Sequence, residues 1–125
     1  MSFLDKYAPM LLSILRIVAG LLFLEHGTSK LLHFPYNPMF DHLTPMIMAA
    51  GVIELVGGAL IALGLFSRIA AFIASGEMAV AYWMVHVAGG GLLPAYNGGG
   101  EAILYCFVFL YLAAAGPGPW AVNQR

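Results

Sequence analysis

Residues 46–88 read MIMAAGVIELVGGALIALGLFSRIAAFIASGEMAVAYWMVHVA, and this stretch decides the fold. It divides near Ser67 into two apolar blocks, about Met46–Phe66 and Arg68–Ala88. As a helix rising about 1.5 Å per residue, each is long enough to cross roughly 30 Å of hydrocarbon. Almost no chain lies between them, which predicts an antiparallel helical hairpin with a tight turn.

Upstream lies another apolar block, about Ala8–Leu32, with Pro9 suited to an opening helical turn. The connection HFPYNPMFDHLTP (33–45) carries Pro35, Pro38 and Pro45 with Asn37 and Asp41, the composition of a loop with fixed turns. Downstream, GGGLLPAYNGGG (89–100) predicts a flexible, solvent-facing linker. A shorter fourth block, about Glu101–Ala115, ends at GPGPW, where glycines and prolines stop a helix and Trp120 suits a membrane interface. The expected fold is all-α: a polytopic membrane protein, one domain over 1–125, built as a four-transmembrane-helix bundle in the lipid bilayer.

Composition agrees. The chain of 125 residues is 62% hydrophobic and 9% charged, against about 45–50% and 25% in ordinary soluble domains. A soluble core of this size has too little interior to hide that surface. Net charge is −1, so nothing points to nucleic acid as a partner. A single cysteine, Cys106, excludes an internal disulfide and a CxxC redox pair. The first block is interrupted by Arg16 and Glu25 and no basic run opens the chain, so it is expected to be retained and not cleaved as a signal. Lys6, Arg68 and Arg125 fall on one side of four spans and Lys30 on the other. The positive-inside rule then places both termini in the cytoplasm.

Arg16, Glu25, His26, Lys30, Glu54, Glu77, His86 and Glu101 lie within or at the edges of the spans. A charge at bilayer depth costs about 2.5–3.5 kcal/mol even on the mild insertion scale, so these groups must meet one another, a cavity or water. At about 100° per residue, Arg16, Phe23, His26, Gly27 and Lys30 share one arc with Ala19 and Gly20. Glu54 shares its face with Gly51, Gly57, Gly58 and Gly64, and Glu77 is flanked by Ala70, Ala74 and Ala81. Acids and bases set among small residues suit buried polar contacts between close-packed membrane helices. His26, Lys30, Glu54, His86 and Glu101 fall in the outer half, with Glu77 near the middle and Arg16 below it. The expected arrangement is a pocket opening outward and floored by Arg16 and Glu77. Glu25 points away from the polar arc, toward the interface or a neighbouring subunit.

A plainer reading competes, in which Arg16 pairs with Glu54 or Glu77 only to set helix register. His86, beside Tyr82 and Trp83, reads as an interfacial histidine. His26 and His86 lie at similar depth and could supply two axial haem ligands, but no clustered His/Cys spacing supports haem or a metal site. No P-loop, nucleophile elbow or dinucleotide fingerprint is present.

The order Arg16, His26-Gly27, Lys30-Leu31 resembles the first helix of the DoxX family of small bacterial membrane proteins. Glu54-Leu55-Val56-Gly57-Gly58, then Gly64-Leu65-Phe66 with Arg68, is similar to that family's second helix and turn. The closing run from Gly100-Glu101-Ala102 to Gly116-Pro117-Gly118 and Trp120 also matches, so the likeness spans nearly the whole chain. Glu25 and the glycine triplets depart from it. The resemblance implies a four-helix inner-membrane protein in an oxidoreductase system, since relatives include a subunit of a thiosulfate:quinone oxidoreductase. With no cofactor motif in the chain, redox chemistry needs a bound quinone or a partner protein. On that reading Arg16, Lys30, Glu54 and Glu101 bind the ligand, while Glu77 and His26 relay protons. The alternatives are a carrier for protons or a small solute, which needs homo-oligomers to widen a thin pathway, and a structural anchor of a larger complex.

Overall fold

The computed structural model describes residues 2–125, with the backbone only at Tyr96. Four long helices make the molecule: α1 (Ala8–Leu32), α2 (Pro45–Leu63), α3 (Ser67–Gly90) and α4 (Gly100–Ala115). Short helical turns occur at Ser2–Asp5, Pro38–Phe40 and Pro94–Asn97, and the described residues contain no strand. α1, α2 and α3 are each long and apolar enough to cross a membrane, and α4 is a shorter apolar helix. The fold is an all-α membrane bundle. Its outer surface carries exposed Leu15, Leu22, Val52, Val56, Phe72, Ile73, Leu104 and Phe107, an apolar coat suited to lipid contact.

Each helix boundary has a local cause. Pro9 occupies the opening turn of α1, where its missing N–H has no partner to lose. Thr44 caps α2 by accepting from the Ile47 N–H at 3.2 Å, with Pro45 at the first helical position. The sequence predicts α2 to continue to Phe66, but it ends at Leu63 because Gly64 turns left-handed at φ 71°. Glycine accepts that conformation without a Cβ clash, and the Gly64 and Leu65 N–H groups close on the Ile61 and Leu60 carbonyls. α3 starts at Ser67 and is α-helical to Ala81, then winds as a π-helix over Tyr82–Val87. Nothing in the sequence pattern signals that wider winding. The predicted linker 89–100 is shaped by Asn97, which donates to the Tyr82 hydroxyl (3.1 Å) and the Gly91 carbonyl (2.8 Å) and accepts from the Gly99 N–H (2.8 Å).

α1 lies along α2, α2 beside α3 and α3 along α4. The α1–α2 contact is backbone on backbone. A Cβ added at Gly20 would come within 2.6 Å of the Ala62 nitrogen, and one at Gly58 within 2.6 Å of the Leu24 nitrogen. Small residues permit this approach, which replaces the missing hydrophobic drive between helices in lipid with close van der Waals contact. Ala71 and Ala74 are likewise fully buried where α3 meets α4, and the Ser75 hydroxyl donates to the Cys106 carbonyl at 2.7 Å. α1 and α4 meet through rings: Phe23 stands edge-on to Phe109 at 4.8 Å, and Phe109 stacks on Tyr105 at 5.4 Å.

After α4 the chain folds back under the bundle. Asn123 and Val122 donate backbone N–H groups to the Gly64 and Leu63 carbonyls, and the Phe66 N–H donates to the Asn123 side chain. Arg68 donates to the carbonyls of Ala113 (3.2 Å) and Ala114 (2.8 Å). These are orphan acceptors at the end of α4, where a cation is favoured by the helix dipole.

Candidate functional site

The cavity at the opposite end is built from all four helices and the 33–44 loop. It encloses about 810 Å³, within the range of about 300–1,000 Å³ usual for small-molecule sites. Its walls are largely apolar, with Met39, Phe40, Ile47, Ile53, Met78 and Val80 among them. The polar groups gather on a few positions. Lys30 Nζ of α1 donates to Glu54 Oε1 of α2 at 2.5 Å, and Glu54 is 1% exposed. The ammonium also lies 5.2 Å from the centre of the Phe40 ring. Glu77 of α3 is beside Glu54, and its Oε1 is sealed from solvent with no hydrogen-bond partner among the described residues. Two carboxyls therefore share one ammonium, which leaves one carboxyl without a counter-charge.

Nearer the rim, His26 Nε2 lies 2.7 Å from Glu101 Oε1, and the imidazole stands edge-on to Tyr105 at 5.6 Å. His86, on the π-helical turn, points Nδ1 at the Asn97 carbonyl 3.2 Å away, so that nitrogen carries the proton. The loop over the cavity is tied down by Ser29, which donates to the Pro35 carbonyl at 2.8 Å, and by Tyr36, which donates to both Asp41 oxygens at 3.0 Å. This exposed hydrogen bond to Asp41 holds the Tyr36 hydroxyl above the usual tyrosine range.

Of the residues expected to form the site, His26, Lys30, Glu54, Glu77 and Glu101 all line this cavity. Arg16 does not. It shares a face of α1 with Lys30, but 14 residues of helix separate the two by about 21 Å. At its own end Arg16 is 1% exposed and donates to the carbonyls of Pro117 and Trp120, the latter at 2.5 Å. The cavity floor is thus Glu77 without Arg16. Glu25, expected to point away, borders the cavity, as does His86. Tyr105 was not singled out from the sequence, although it stands one helical turn after Glu101 and so shares its face. Phe40 and Asn97 lie in helical turns of three and four residues, too short for periodicity to mark a side chain's direction. Among the described residues, no group of three or more His, Cys, Asp or Glu side chains is placed to hold a metal ion.

The fold and site together define a small helical membrane protein with an apolar cavity and an acid-rich polar cluster at one end. The DoxX family model matches residues 11–87, from α1 through the π-helical turn, and this chain belongs to the DoxX family. A Haemophilus influenzae protein described only as uncharacterized is 48% identical over 130 residues, covering 100% of this chain and 97% of its own. No solved structure matches the chain.

Proposed function

We propose that this protein is a membrane component of an oxidoreductase system, holding a small lipophilic molecule such as a quinone in the cavity at the Lys30–Glu54 end. The observation that carries this reading is an apolar cavity of about 810 Å³ whose polar groups converge on Lys30, Glu54 and Glu77. Apolar walls suit a hydrocarbon-rich body, and the buried polar cluster suits a head group that must be oriented. A bound quinone would supply the electron-carrying chemistry that the side chains lack. Lys30 and Glu54 would position the head group, and Glu77 would hold or release a proton beside it. His26 and Glu101, at the half-exposed rim, would connect that proton to water. The loop over residues 33–44 would keep bulk water from the polar cluster.

The carrier reading has less support. Phe23, Ile61, Ala71, Ala74 and Phe109, each 0% exposed, fill the interior between Glu77 and the Arg16 end. A polar path would have to break that layer. On the same proposal the chain is one domain over 1–125 in a bacterial inner membrane, with a redox partner protein or a second copy completing the system. The side bearing Lys6, Arg68 and Arg125 would face the cytoplasm.

Mass spectrometry of the organic extract from gently purified protein tests the reading, beside a variant with the cavity filled by Ala50→Trp. A lipophile enriched with the wild type and lost from the folded variant is expected. Bulk lipid alone in both samples would sink the proposal.

A further inference from the structure

Resting on the ligand-binding reading above, we infer that the cavity opens sideways between α2 and α3 into the bilayer, and that its ligand is a lipid-borne molecule whose hydrocarbon tail lies in that seam. The other three seams around the cavity are closed. Between α1 and α2, Gly27 and Gly51 bring the helices together, and a Cβ at Gly27 would run into the Leu55 backbone. Between α3 and α4, Ala74, Tyr82 and Ala102 are buried, and the Tyr82 hydroxyl donates to the Leu92 carbonyl at 2.7 Å. Between α4 and α1, His26 meets Glu101 at 2.7 Å, and one helical turn deeper the Phe23 and Tyr105 rings meet at 5.6 Å. The rim on that side carries Glu25, His26 and Glu101, ionisable groups that belong with water.

The α2–α3 seam differs. Ala49, Ala50 and Ile53 of α2 and Val80, Ala81 and Met84 of α3 all line the cavity, yet none is buried, and Val80 and Met84 are 55% and 56% exposed. Small residues in membrane helices ordinarily mark close approach, as Ala71 and Ala74 do where α3 meets α4. Here Ala50 and Ala81 stay half-buried, with no helix drawn over them. Each stands one turn from a carboxyl on its own face, Ala50 four residues before Glu54 and Ala81 four residues after Glu77. The seam therefore leads to the polar cluster. Ala50, Ile53, Val80 and Met84 lie about 8–15 Å inside their helix ends, within the roughly 15 Å of hydrocarbon in one leaflet. A rim without polar side chains at that depth is wetted by lipid tails and not by water. The π-helical turn extends the wall, with Met84, Val85 and His86 in succession bordering the cavity. A head group entering here reaches Lys30, Glu54 and Glu77 with its tail still in the bilayer. The opening thus fits one long hydrocarbon chain on a compact polar head.

Photolabelling of the purified full chain in lipid nanodiscs tests this, with a decyl benzoquinone carrying a diazirine midway along its tail. Lipid-facing residues react with any membrane-borne diazirine, so only label that excess unmodified decyl benzoquinone removes is counted. That label is expected on residues 49–53 of α2 and 80–84 of α3. Competable label confined to the α1–α4 rim or to the 33–44 loop would overturn the side opening and leave a lipophile site standing. Competable label nowhere would remove both the opening and the reading it rests on. Ala81→Phe supplies a second measurement, since it narrows the seam without touching Lys30, Glu54 or Glu77. It should weaken equilibrium binding of decyl benzoquinone by about ten-fold or more, while the tail-less methyl benzoquinone binds as to wild type. Equal effects on the two quinones would count against a tail in the seam. The wild-type labelling pattern decides the matter even where Ala81→Phe fails to fold.

Discussion

Lys30 on α1 and Glu54 on α2 form an ion pair 2.5 Å long at the inner wall of the cavity, with the Glu54 side chain 1% exposed and that of Lys30 17% exposed. It sits where α1 and α2 are held close at Gly27 and Gly51, and there Glu54 is shut off from solvent. Such a pair gains little over an apolar replacement, yet removing one partner strands the other. Lys30→Met is therefore expected to destabilise the bundle by about 3–5 kcal/mol. The Lys30→Met, Glu54→Met double variant should be closer to wild type than either single one. Reversible unfolding in mixed micelles reads the difference, and equal costs for single and double variants would show that the pair is not coupled.

Arg16 predicts a different phenotype from the cavity residues. Its guanidinium and the Ser13 hydroxyl hold Pro117 and Trp120 of the tail, Ser13 accepting from the Trp120 N–H at 3.1 Å. Arg16→Met should free residues 117–125 to protease and hydrogen exchange while leaving ligand binding near the wild-type level. Loss of binding with an unchanged tail would place Arg16 in the site after all.

The glycines offer a matched comparison on one chain. Gly20→Ala puts a Cβ into the backbone of α2, within 2.6 Å of the Ala62 nitrogen. Overpacking of that kind costs about 1–3 kcal/mol. Gly76→Ala on α3 meets nothing within 4 Å, so it should be neutral or stabilising by up to about 1 kcal/mol through helix propensity. Thermal denaturation of the two variants side by side checks the sign of each.

Tyr36 supplies the pH test. Its hydrogen bond to Asp41 raises the folded pKa, so the folded chain retains the proton longer than the unfolded one. The stabilising contribution is present below the ordinary tyrosine pKa of about 10 and is lost as pH rises through the folded value. NMR of ring-labelled tyrosine should find Tyr36 titrating above 10, and Asp41→Ala should bring it back toward about 10. An unshifted wild-type Tyr36 would mean that the loop contact is not held in solution.

How much of this was legible in the chain depends on the range of the interaction. Hydrophobic block length and the small residues beside Glu54 and Glu77 are local properties, repeated every helical turn. They determined four helices, a tight turn near Ser67 and polar faces turned inward before any packing was known, and the structure moved the end of the second helix back to Leu63. The same periodicity correctly grouped His26 with Lys30. It misled at Arg16, because a helical face reports an angle around the axis and says nothing of which of two pockets along 25 residues a side chain enters. Only the tertiary structure decided that, by folding a tail 101 residues away onto Arg16. It likewise decided that Asn97 ties the glycine linker to Tyr82, and that Glu77, beside Glu54, keeps its Oε1 without a hydrogen-bond partner among the described residues. Sequence determined which groups had to be buried, since lipid admits no bare charge. Which partner each one found was a matter of three-dimensional distance, and no spacing along the chain encodes it.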